Sequence, residues 1–550
     1  MAVYGIDLGT TFCSVAWSDG GPARVVPLER GGVTLASLAL LTNEGGPAAS
    51  VGLRALREWR SKVGESERAP ADVVLVRGSK NRMAEHRAAL DGPPWRVAGA
   101  ELWSTDVAAI LLRALMGMVR AAPGLPPVDG VVVTHPQRFR NREKIATAQA
   151  ATMAGVPLLG LITEPDAAAW AYGVHSPSHA GDKPERSFMV FDFGGGTLDV
   201  TVMRREGGAS PRLRAVDSYG VQVGGLVIDE RVRDALLEQY RRKTGDGSLH
   251  LGNVNDATRE RLLELAEWFK VSLNTDAASD PAPLSRTRRK RFTPVFNDDE
   301  EGEEVELELS LDALSRVVSG ELDRAMACAD EAMRRAGMDW GALDEVLLTG
   351  GSSLLWPIQQ RMRERCPVVR IYDDPGHPLN PLTIVASGAA LHGASLGRGA
   401  SAGVDLRGVV PDHFSVRAWR PDPSAPSGRS EVLETLVPAG TSTPFVGRRV
   451  FTRRGGGRSL TVEVWEGRSA REATRVGEYA LEFDAPVPDG TPVEVRLDVR
   501  ANGELVLAVE DRATGAVREA RLDDAPGVYS AEELAKRTQW LRALRLSWDG

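Results

Sequence analysis

Residues 191–200 read FDFGGGTLDV, with three consecutive glycines between two hydrophobic runs that are typical of adjacent strands. Glycine weakens a strand interior, so this run indicates either a tight turn or close approach of the backbone to a ligand. Asp192 precedes the glycines and Thr197 follows them. The three glycines alone favour neither a plain hairpin nor a ligand-binding turn, and the rest of the sequence has to decide between them.

The same arrangement occurs near the start of the chain, in VYGIDLGTT. Asp7 follows a strand-like run there, and Gly9, Thr10 and Thr11 come after it. Each turn leads into another β-rich run, FCSVAW in the first case and LDVTVM in the second. Two such strand–turn–strand units predict a duplicated α/β architecture in which two lobes face one cleft. A third glycine turn, LLTGGSS, also follows a buried strand-like run.

Composition excludes several classes of protein. The 550 residues carry a formal net charge of −8 with both signs interspersed, which predicts no general nucleic-acid or membrane partner. A basic run at 286–291 and an acidic run at 298–304 predict the facing strands of a charged hairpin. The three cysteines match no metal-binding or redox spacing. A strand begins almost at the N-terminus and no apolar run is long enough to span a bilayer, so we expect a soluble, cytoplasmic protein.

The hydrophobic pattern changes near residue 398. The small, flexible stretch 398–410 predicts a linker after an α/β unit of residues 1–397. Beyond the linker the hydrophobic period becomes two, as in VEVRLDVRANGELVLAVED. The dipeptide Asn502-Gly503 is a strong hairpin signal between these alternating runs. Residues 411–525 are therefore predicted to form a β-sandwich domain.

Two further boundaries follow from the same patterns. The duplicated turns divide the α/β unit into a first lobe of about 1–183 and a second lobe of about 184–397. After the sandwich, residues 526–550 predict one short helix, because Ser530 and Glu533 form a capping-box pattern at its start.

Glycine-rich turns bind phosphate because successive backbone N–H groups converge on the anion. The sequence contains no Gly-Lys dipeptide, which excludes a P-loop, and no G-x-G-x-x-G follows a strand-like run. Two facing Asp-x-Gly turns would instead hold a triphosphate from both sides. Asp7 and Asp192, one from each lobe, are then the candidate ligands of a hydrated Mg²⁺, which prefers few carboxylates and many waters.

Four motifs, GIDLGTT, FDFGGGTLDV, ITEPDAAAWAYG and LLTGGSS, occur in the order and spacing found in the seventy-kilodalton heat-shock chaperone family. The chain resembles this family, within the actin-like ATPase superfamily, over about residues 3–520. The resemblance implies a two-lobed actin-like ATPase of duplicated ribonuclease-H-like lobes, followed by a β-sandwich peptide-binding domain. It also implies ATP and Mg²⁺ as ligands, with K⁺ as a further candidate ion. The implied partners are unfolded client polypeptides, a J-domain co-chaperone and a nucleotide exchange factor.

The resemblance assigns roles around the phosphates. Glycines and threonines of the two turns would hold the β- and γ-phosphates, namely Gly9, Thr10, Thr11, Gly194, Gly195, Gly196 and Thr197. Glu164 is similar to the carboxylate near the attacking water, which Thr197 would help to orient. The family also has a lysine at the γ-phosphate, for which Lys80 and Arg77 are the two candidates. Charge neutralisation and positioning supply most of the catalysis in phosphoryl transfer.

The adenosine site resembles the helical stretch TRERLLELAEWFKVSLN. Glu267, Lys270 and Asn274 lie three and four residues apart, so they share one helical face. A solvated face with a Glu–Lys pair is the alternative interpretation of the same spacing. Further residues would close over the α-phosphate and ribose, namely Gly224, Gly225, Gly350, Gly351 and Ser352.

The resemblance also implies a peptide groove in the β-rich segment. HFSVRAW is similar to the strand and arch that cover this groove, which makes Trp419 an arch residue. Phe451, Leu460 and Val462 would form its apolar pocket. Each of them could instead be an ordinary core residue, which is the more common fate of alternating aliphatic side chains. The expected ligand is an extended peptide held by main-chain hydrogen bonds and one hydrophobic pocket.

The sequence departs from the family at several positions. Leu226, Leu354 and Leu382 stand near the nucleoside where the family has charged residues, and Lys144 replaces an arginine that relays between the domains. The linker AGVDLRGVV lacks the family's run of leucines. Only one short helix follows the sandwich, so the helical lid is missing and peptide exchange should be fast.

Three functions remain open from the sequence. We expect an ATP-dependent chaperone that binds exposed apolar peptide segments and hydrolyses ATP slowly. The alternative is a nucleotide-binding, weakly or non-hydrolysing interaction platform or exchange-factor-like co-chaperone, which the altered linker, Leu226, Leu354 and the missing lid favour. A small-molecule kinase or filament former would share the duplicated lobes but would not need a β-sandwich.

Overall fold

The first strand, Val3–Asp7, is apolar and almost entirely buried in the computed structural model of the chain. The structure describes residues 1–43, 46–64, 70, 72–83, 95–97, 100–175, 185–206, 212–245, 247, 249–297, 300–374, 376–396, 405–426, 428–500, 505–522 and 529–549. No helix in these ranges is long and apolar enough to cross a membrane.

The first lobe is built on a mixed sheet around Val3–Asp7. Its strands lie in the order Leu158–Thr163, Gly130–His135, Val3–Asp7, Phe12–Ser18 and Arg24–Val25, with Leu35–Ala36 also paired to Phe12–Ser18. Val3–Asp7 runs parallel to Gly130–His135 and antiparallel to Phe12–Ser18. Gly130–His135 is buried along its whole length, as expected for a parallel strand that is covered on both faces.

The second lobe repeats this arrangement. Its strands lie in the order Val369–Arg370, Glu345–Thr349, Glu185–Phe193, Leu198–Glu206, Arg212–Val221 and Asp405–Arg407. Glu185–Phe193 runs parallel to Glu345–Thr349 and antiparallel to Leu198–Glu206, which is the pairing of the central strand in the first lobe. The repeat confirms the predicted duplicated α/β architecture.

Helices cover the two sheets. In chain order they are Gly52–Gly64, Ser104–Ala121, Asn141–Met153, Glu164–His175, Gly225–Thr244, Asp256–Asn274, Leu311–Val317, Ser319–Arg335, Trp356–Arg365 and Ile384–Leu396. Two small-residue helices, Glu164–His175 and Ile384–Leu396, pack very closely. A Cβ atom on Gly388 would lie 1.7 Å from the carbonyl oxygen of Ala167. The small side chains of EPDAAAWAYG therefore serve helix packing.

Two peripheral hairpins extend the lobes. Trp95–Val97 pairs with Ala100–Leu102, and Thr287–Phe292 pairs with Val305–Ser310. The second hairpin is the predicted charged one, with Arg289 bound to Glu308 at 3.0 Å. The acidic run 298–304 was predicted as the facing strand, but the strand that pairs is Val305–Ser310. Its alternating sequence VELELS provides a buried face.

The β-sandwich has two antiparallel sheets. The strands of the first lie in the order Arg429–Val437, His413–Pro421, Gly457–Gly467 and Thr474–Val487, and those of the second in the order Phe445–Thr452, Pro492–Val499, Leu505–Asp511 and Val517–Arg521. Alternate residues of both sheets form one apolar core, as the period-two pattern predicts. The dipeptide Asn502-Gly503 lies outside the described residues, and the strands on either side of it pair directly.

Part of the stretch predicted as a linker forms a strand. Asp405–Arg407 runs parallel to Arg212–Val221 and adds to the edge of the second-lobe sheet. Residues 398–404 lie outside the described residues. The chain between the lobes and the sandwich is therefore attached to the second lobe by backbone pairing.

The sandwich is docked on the first lobe through the helix Asn141–Met153. Ile145 of this helix belongs to the apolar core of the sandwich. The backbone N–H of Asn141 donates to Oε2 of Glu466 at 2.9 Å, and Arg140 forms an ion pair with Asp412 at 3.5 Å. The helix N-terminus and its charged neighbours thus join the two domains.

The C-terminal segment returns to the first lobe. The helix Ala531–Ala543 begins with the predicted capping box between Ser530 and Glu533. The strand Arg545–Ser547 then joins a small first-lobe sheet, in the order Arg545–Ser547, Ala48–Val51, Ala39–Thr42 and Val73–Val76. The segment also contributes buried side chains to the first-lobe core, namely Tyr529, Leu541 and Leu544.

Candidate functional site

The two predicted Asp-x-Gly turns occupy equivalent positions in the two lobes. Thr134, on the strand parallel to Val3–Asp7, donates its hydroxyl hydrogen to Oδ1 of Asp7 at 3.0 Å. Thr349, on the equivalent strand of the second lobe, donates to Oδ1 of Asp192 at 2.9 Å. Each carboxylate is thus held by a threonine from the neighbouring parallel strand. The repeat of the two lobes therefore includes the hydrogen bond from threonine to aspartate at each turn.

The glycines of the second turn contact the first lobe directly. A Cβ atom on Gly195 would lie 1.8 Å from Oγ1 of Thr11, and one on Gly196 would lie 2.0 Å from Oδ1 of Asn81. A larger residue at either position would have to displace Thr11 or Asn81 of the first lobe. The cleft between the lobes is therefore closed around the two turns, and glycine is needed for close approach.

Further predicted glycines pack behind the second turn. A Cβ atom on Gly224 would lie 2.4 Å from the carbonyl oxygen of Gly195. Gly350 has a φ of +78°, which favours glycine, and a Cβ atom there would lie 2.8 Å from Oδ1 of Asp192. Ser352 donates its hydroxyl hydrogen to the carbonyl oxygen of Gly194 at 2.8 Å. The structure brings these predicted residues together around one turn.

Lys80 lies in the same place as the carboxylates. It belongs to the short 3₁₀ turn Ser79–Arg82 and forms a buried ion pair with Glu164, the first residue of the helix Glu164–His175. Burial lowers the pKa of Lys80, but attraction to Glu164 and Asp7 outweighs it, so the pKa stays above its ordinary value. Lys80 is therefore a fixed positive charge in the closed cleft.

Arg77, the other candidate for the γ-phosphate lysine, lies elsewhere. It forms an ion pair with Glu260 of the second-lobe helix Asp256–Asn274, and Glu267 and Glu264 are the next charges that attract it. Arg60 pairs with Glu264 of the same helix. Arg77 thus links the first lobe to the helix Asp256–Asn274 of the second, whereas Lys80 is paired with Glu164.

Sequence reasoning missed one carboxylate of the site, Asp199. It is the cross-strand partner of Asp192 in the hairpin around the three glycines, and it is buried. Burial raises its pKa to about 7, with the charge of Glu164 adding to the rise. One of its oxygen atoms, Oδ2, has no hydrogen-bond partner among the described residues. The sequence does contain a signal for Asp199, because it is the second acidic residue of the motif FDFGGGTLDV.

Asp7, Asp192 and Asp199 all lie near Glu164, the ion-pair partner of Lys80. Burial, followed by the charge of Glu164, raises the pKa of Asp7 to about 7 and also raises the pKa of Asp192. The excess of negative charge fits a divalent cation. In the described part of the chain, no three acidic, histidine or cysteine side chains are arranged to chelate a metal directly. The donor set therefore suits Mg²⁺, which keeps most of its waters and needs few carboxylates.

The predicted adenosine residues lie on one helical face, but their contacts differ. Lys270 forms an ion pair with Asp229 at 2.7 Å and donates to the carbonyl oxygen of Gly225 at 3.3 Å. Asn274 donates to the carbonyl oxygen of Lys270 at 2.7 Å and accepts from the backbone N–H of Trp356 at 2.8 Å. Asn274 thus holds a helix start in place, and Lys270 remains beside the glycine turn.

Two of the three leucines that depart from the family lie against glycines of the site. A Cβ atom on Gly78 would lie 2.9 Å from Cδ1 of Leu226, across the cleft. A Cβ atom on Gly351 would lie 3.4 Å from Cδ2 of Leu382. Leu226 therefore makes an apolar contact between the lobes close to Lys80.

A model of the family described as Hsp70 protein matches residues 78–540, most of the chain. The chain belongs to the Hsp70 family. It is also similar to "Chaperone protein DnaK" of Anaplasma marginale (strain St. Maries), with 28% identity over 548 residues, which are 98% of this chain and 79% of that protein. Hsp70 proteins are nucleotide-binding chaperones with ATPase activity.

In this Hsp70 chain, the predicted peptide-site residues do not share one surface. Val462 is buried in the sandwich core, and Phe451 and Leu460 pack against that core. Trp419 lies three positions after the buried Val416 on the strand His413–Pro421, so it points to the opposite face of the sheet. It is 56% exposed and packs against Arg429, with 5.5 Å from the guanidinium carbon to the ring centre. The structure therefore separates Trp419 from the other three.

Proposed function

We propose that the protein is an ATP-dependent molecular chaperone that hydrolyses ATP slowly and binds exposed apolar segments of client polypeptides. The observation that carries the proposal is the buried ion pair of Lys80 and Glu164, which lies beside two Asp-x-Gly turns at equivalent positions in the two lobes. Family membership supports the same activity. J-domain co-chaperones and a nucleotide exchange factor are part of this proposal as partners.

For hydrolysis, each group at the cleft has one task. Backbone N–H groups of the two turns, around Gly9 and Gly195, would bind the β- and γ-phosphates. Lys80 would neutralise charge on the γ-phosphate, and Glu164 and Thr197 would orient the attacking water. Asp7 and Asp192 would hold Mg²⁺ through its waters, and the ion would supply charge neutralisation at the phosphates.

Coupling to the sandwich would use the two attachments described above. The strand Asp405–Arg407 pairs with the second lobe, and the backbone N–H of Asn141 on the first lobe binds Glu466 of the sandwich. A change in the angle between the lobes therefore acts on the sandwich at two points. Such coupling requires that nucleotide and peptide each bind the docked and separated arrangements with different affinity.

Single-turnover hydrolysis of Mg-ATP by the purified full chain, with and without an unstructured apolar peptide, tests this function. The informative variant combines Leu406→Pro with Arg407→Pro. The two prolines remove the backbone N–H groups of residues 406 and 407 from the three-residue strand Asp405–Arg407. We expect its basal rate to stay within about twofold of the unmodified protein and its stimulation by peptide to be lost. The matched control replaces both residues by alanine and keeps the N–H groups.

The outcomes separate the chaperone from the alternative. Slow hydrolysis that rises with peptide, and that loses this rise in the double-proline variant, supports the chaperone. Tight ATP binding with no hydrolysis and no response to peptide contradicts it and leaves a nucleotide-binding interaction platform.

A further inference from the structure

The interior of the sandwich contains a charged triad near one edge. Glu434 pairs with the core residue Val416 across adjacent strands, so its side chain points between the two sheets, and it is only 8% exposed. Nε of Arg420 donates to Oε1 of Glu434 at 2.6 Å. Arg449, from the other sheet, donates to Oε2. One buried carboxylate thus holds two guanidinium groups from opposite sheets.

This triad carries a net positive charge with hydrogen-bond donors to spare. Each guanidinium has five N–H donors, more than a shared carboxylate can satisfy. The side chains of Arg420 and Arg449 are 63% and 47% exposed, so their remaining donors reach solvent. Glu434 fixes both groups in place, which lowers the entropy lost when a further anion binds.

The triad lies beside the predicted apolar pocket. Arg449 and Phe451 are two positions apart on the strand Phe445–Thr452, so both point to the inner face. Arg420 shares the inner face of its own strand with Val416. Phe451 and Leu460, which pack against the core, provide apolar surface next to the exposed guanidinium groups.

The charge around the triad is of the same sign. Arg454, which follows the strand of Arg449, is exposed and forms no ion pair with any residue that the structure describes. Glu434 itself is already neutralised by two arginines. An anionic group that approaches this end of the sandwich therefore meets an excess of positive charge, which favours complementary partners and rejects basic ones.

We propose that this end of the sandwich selects client segments in which an aspartate or glutamate lies next to an apolar residue. The carboxylate would bind Arg420 and Arg449, and the apolar side chain would contact Phe451 and Leu460. This inference rests on the proposed peptide-binding function and names the class of peptide that the site prefers.

The test uses two labelled peptides that differ only by aspartate or asparagine beside a leucine, with affinity for the full chain measured by fluorescence anisotropy. We expect the aspartate peptide to bind about fivefold more tightly, because the arginines are half-exposed and each ion pair is partly screened. Arg449→Gln should abolish this difference, and Arg449→Lys should keep part of it, since lysine keeps the charge but not the planar fork.

Arg448→Gln is the matched control. It removes the same charge one position away, on the outer face of the strand, and should leave most of the preference intact. Equal binding of both peptides to the unmodified protein would overturn the inference while leaving peptide binding in place. Binding of neither peptide would instead contradict the proposed chaperone function. Thermal unfolding of each variant shows whether the sandwich is still folded.

Discussion

Lys80 and Glu164 form a buried ion pair at the point where the two lobes meet, with the carboxylates of Asp7 and Asp192 close enough to affect its charges. Both partners come from the first lobe, one from a 3₁₀ turn and the other from a helix start. The positive charge of Lys80 is thereby fixed before any phosphate enters.

Replacing Lys80 by alanine should slow single-turnover ATP hydrolysis by roughly 10²-fold, because the cleft loses its fixed positive charge. Arg77→Ala is the comparison, since Arg77 pairs with Glu260 of the second lobe and not with Glu164. It should weaken ATP binding through easier opening of the cleft and leave the hydrolysis step within a fewfold. A larger loss of rate in Arg77→Ala than in Lys80→Ala would contradict the assignment.

Asp199→Asn should make the nucleotide-free protein more stable at pH 8 and the enzyme slower. Burial and the charge of Glu164 raise the pKa of Asp199 to about 7, so its charged form is unfavourable in the folded state. An uncharged asparagine avoids this cost, which is roughly 4 kcal/mol at pH 8 for a pKa raised from 3.8 to about 7. Hydrolysis should fall at least roughly tenfold, because positioning at the site is disturbed. Thermal unfolding and single-turnover rates measure both effects, and a less stable variant would contradict the argument.

Docking of the sandwich on the first lobe should weaken as the pH rises through 7. Burial at the interface raises the pKa of Glu466 to about 7, against the opposing effect of Lys144, and Asp412 and Glu143 add to the rise. In the separated state Glu466 would be exposed with its ordinary pKa, so the docked state binds more protons. The ratio of docked to separated molecules should therefore fall about tenfold between pH 6 and pH 8.

Energy transfer between dyes on the first lobe and the sandwich measures this ratio. Arg140 and Arg468 also lie at the interface, where both pair with Asp412. Glu466→Gln can still accept from the backbone N–H of Asn141 but does not titrate, so its docking should not change with pH through this group. An equal pH dependence in both proteins would show that Glu466 is not responsible.

The C-terminal segment should depend on Asp106, which is fully buried on the first lobe. Tyr529 donates its hydroxyl hydrogen to Oδ2 of Asp106 at 2.6 Å, and Arg537 donates to the same oxygen at 2.7 Å. Asp106→Ala leaves Arg537 without its partner and should cost about 3 kcal/mol. Tyr529→Phe loses one buried hydrogen bond and should cost about 1 kcal/mol.

Urea unfolding of the full chain measures these changes. Lys536→Ala is the control, because Lys536 lies on the same helix and forms only an exposed pair with Glu532. It should change stability by less than about 0.5 kcal/mol. Amide exchange at Arg545–Ser547 should also become faster in Asp106→Ala. Unchanged protection there would show that this strand does not depend on the contacts of Asp106.

The sequence allowed the duplicated lobes and the cleft between them to be predicted, because glycine turns and their aspartates are local signals. Asp199 was missed for a physical reason. Whether an acid on a strand faces a cleft or a core depends on strand register, and register is fixed by pairing with Glu185–Phe193. The partners of Arg77 likewise could not be predicted, because its pair with Glu260 depends on how the two lobes are placed relative to each other.

The positions that could not be predicted all involve distant pairing. Trp419 was expected in an arch, but the pairing of His413–Pro421 puts it on the outer face of the sheet. The strand Asp405–Arg407 has no pattern of its own and exists because Arg212–Val221 offers an open edge. Short segments of this kind take their structure from their partner.

The pairing of the C-terminal strand with Ala48–Val51 has a consequence for synthesis of the protein. Ser547 donates to the carbonyl oxygen of Ala49, a residue 498 positions earlier in the chain. On the ribosome, the edge of that first-lobe sheet is made long before its neighbour and stays unpaired while the second lobe and the sandwich are added. Unpaired edges of this kind invite pairing with other chains. The lobe that is translated first is thus among the last parts of the molecule to be completed.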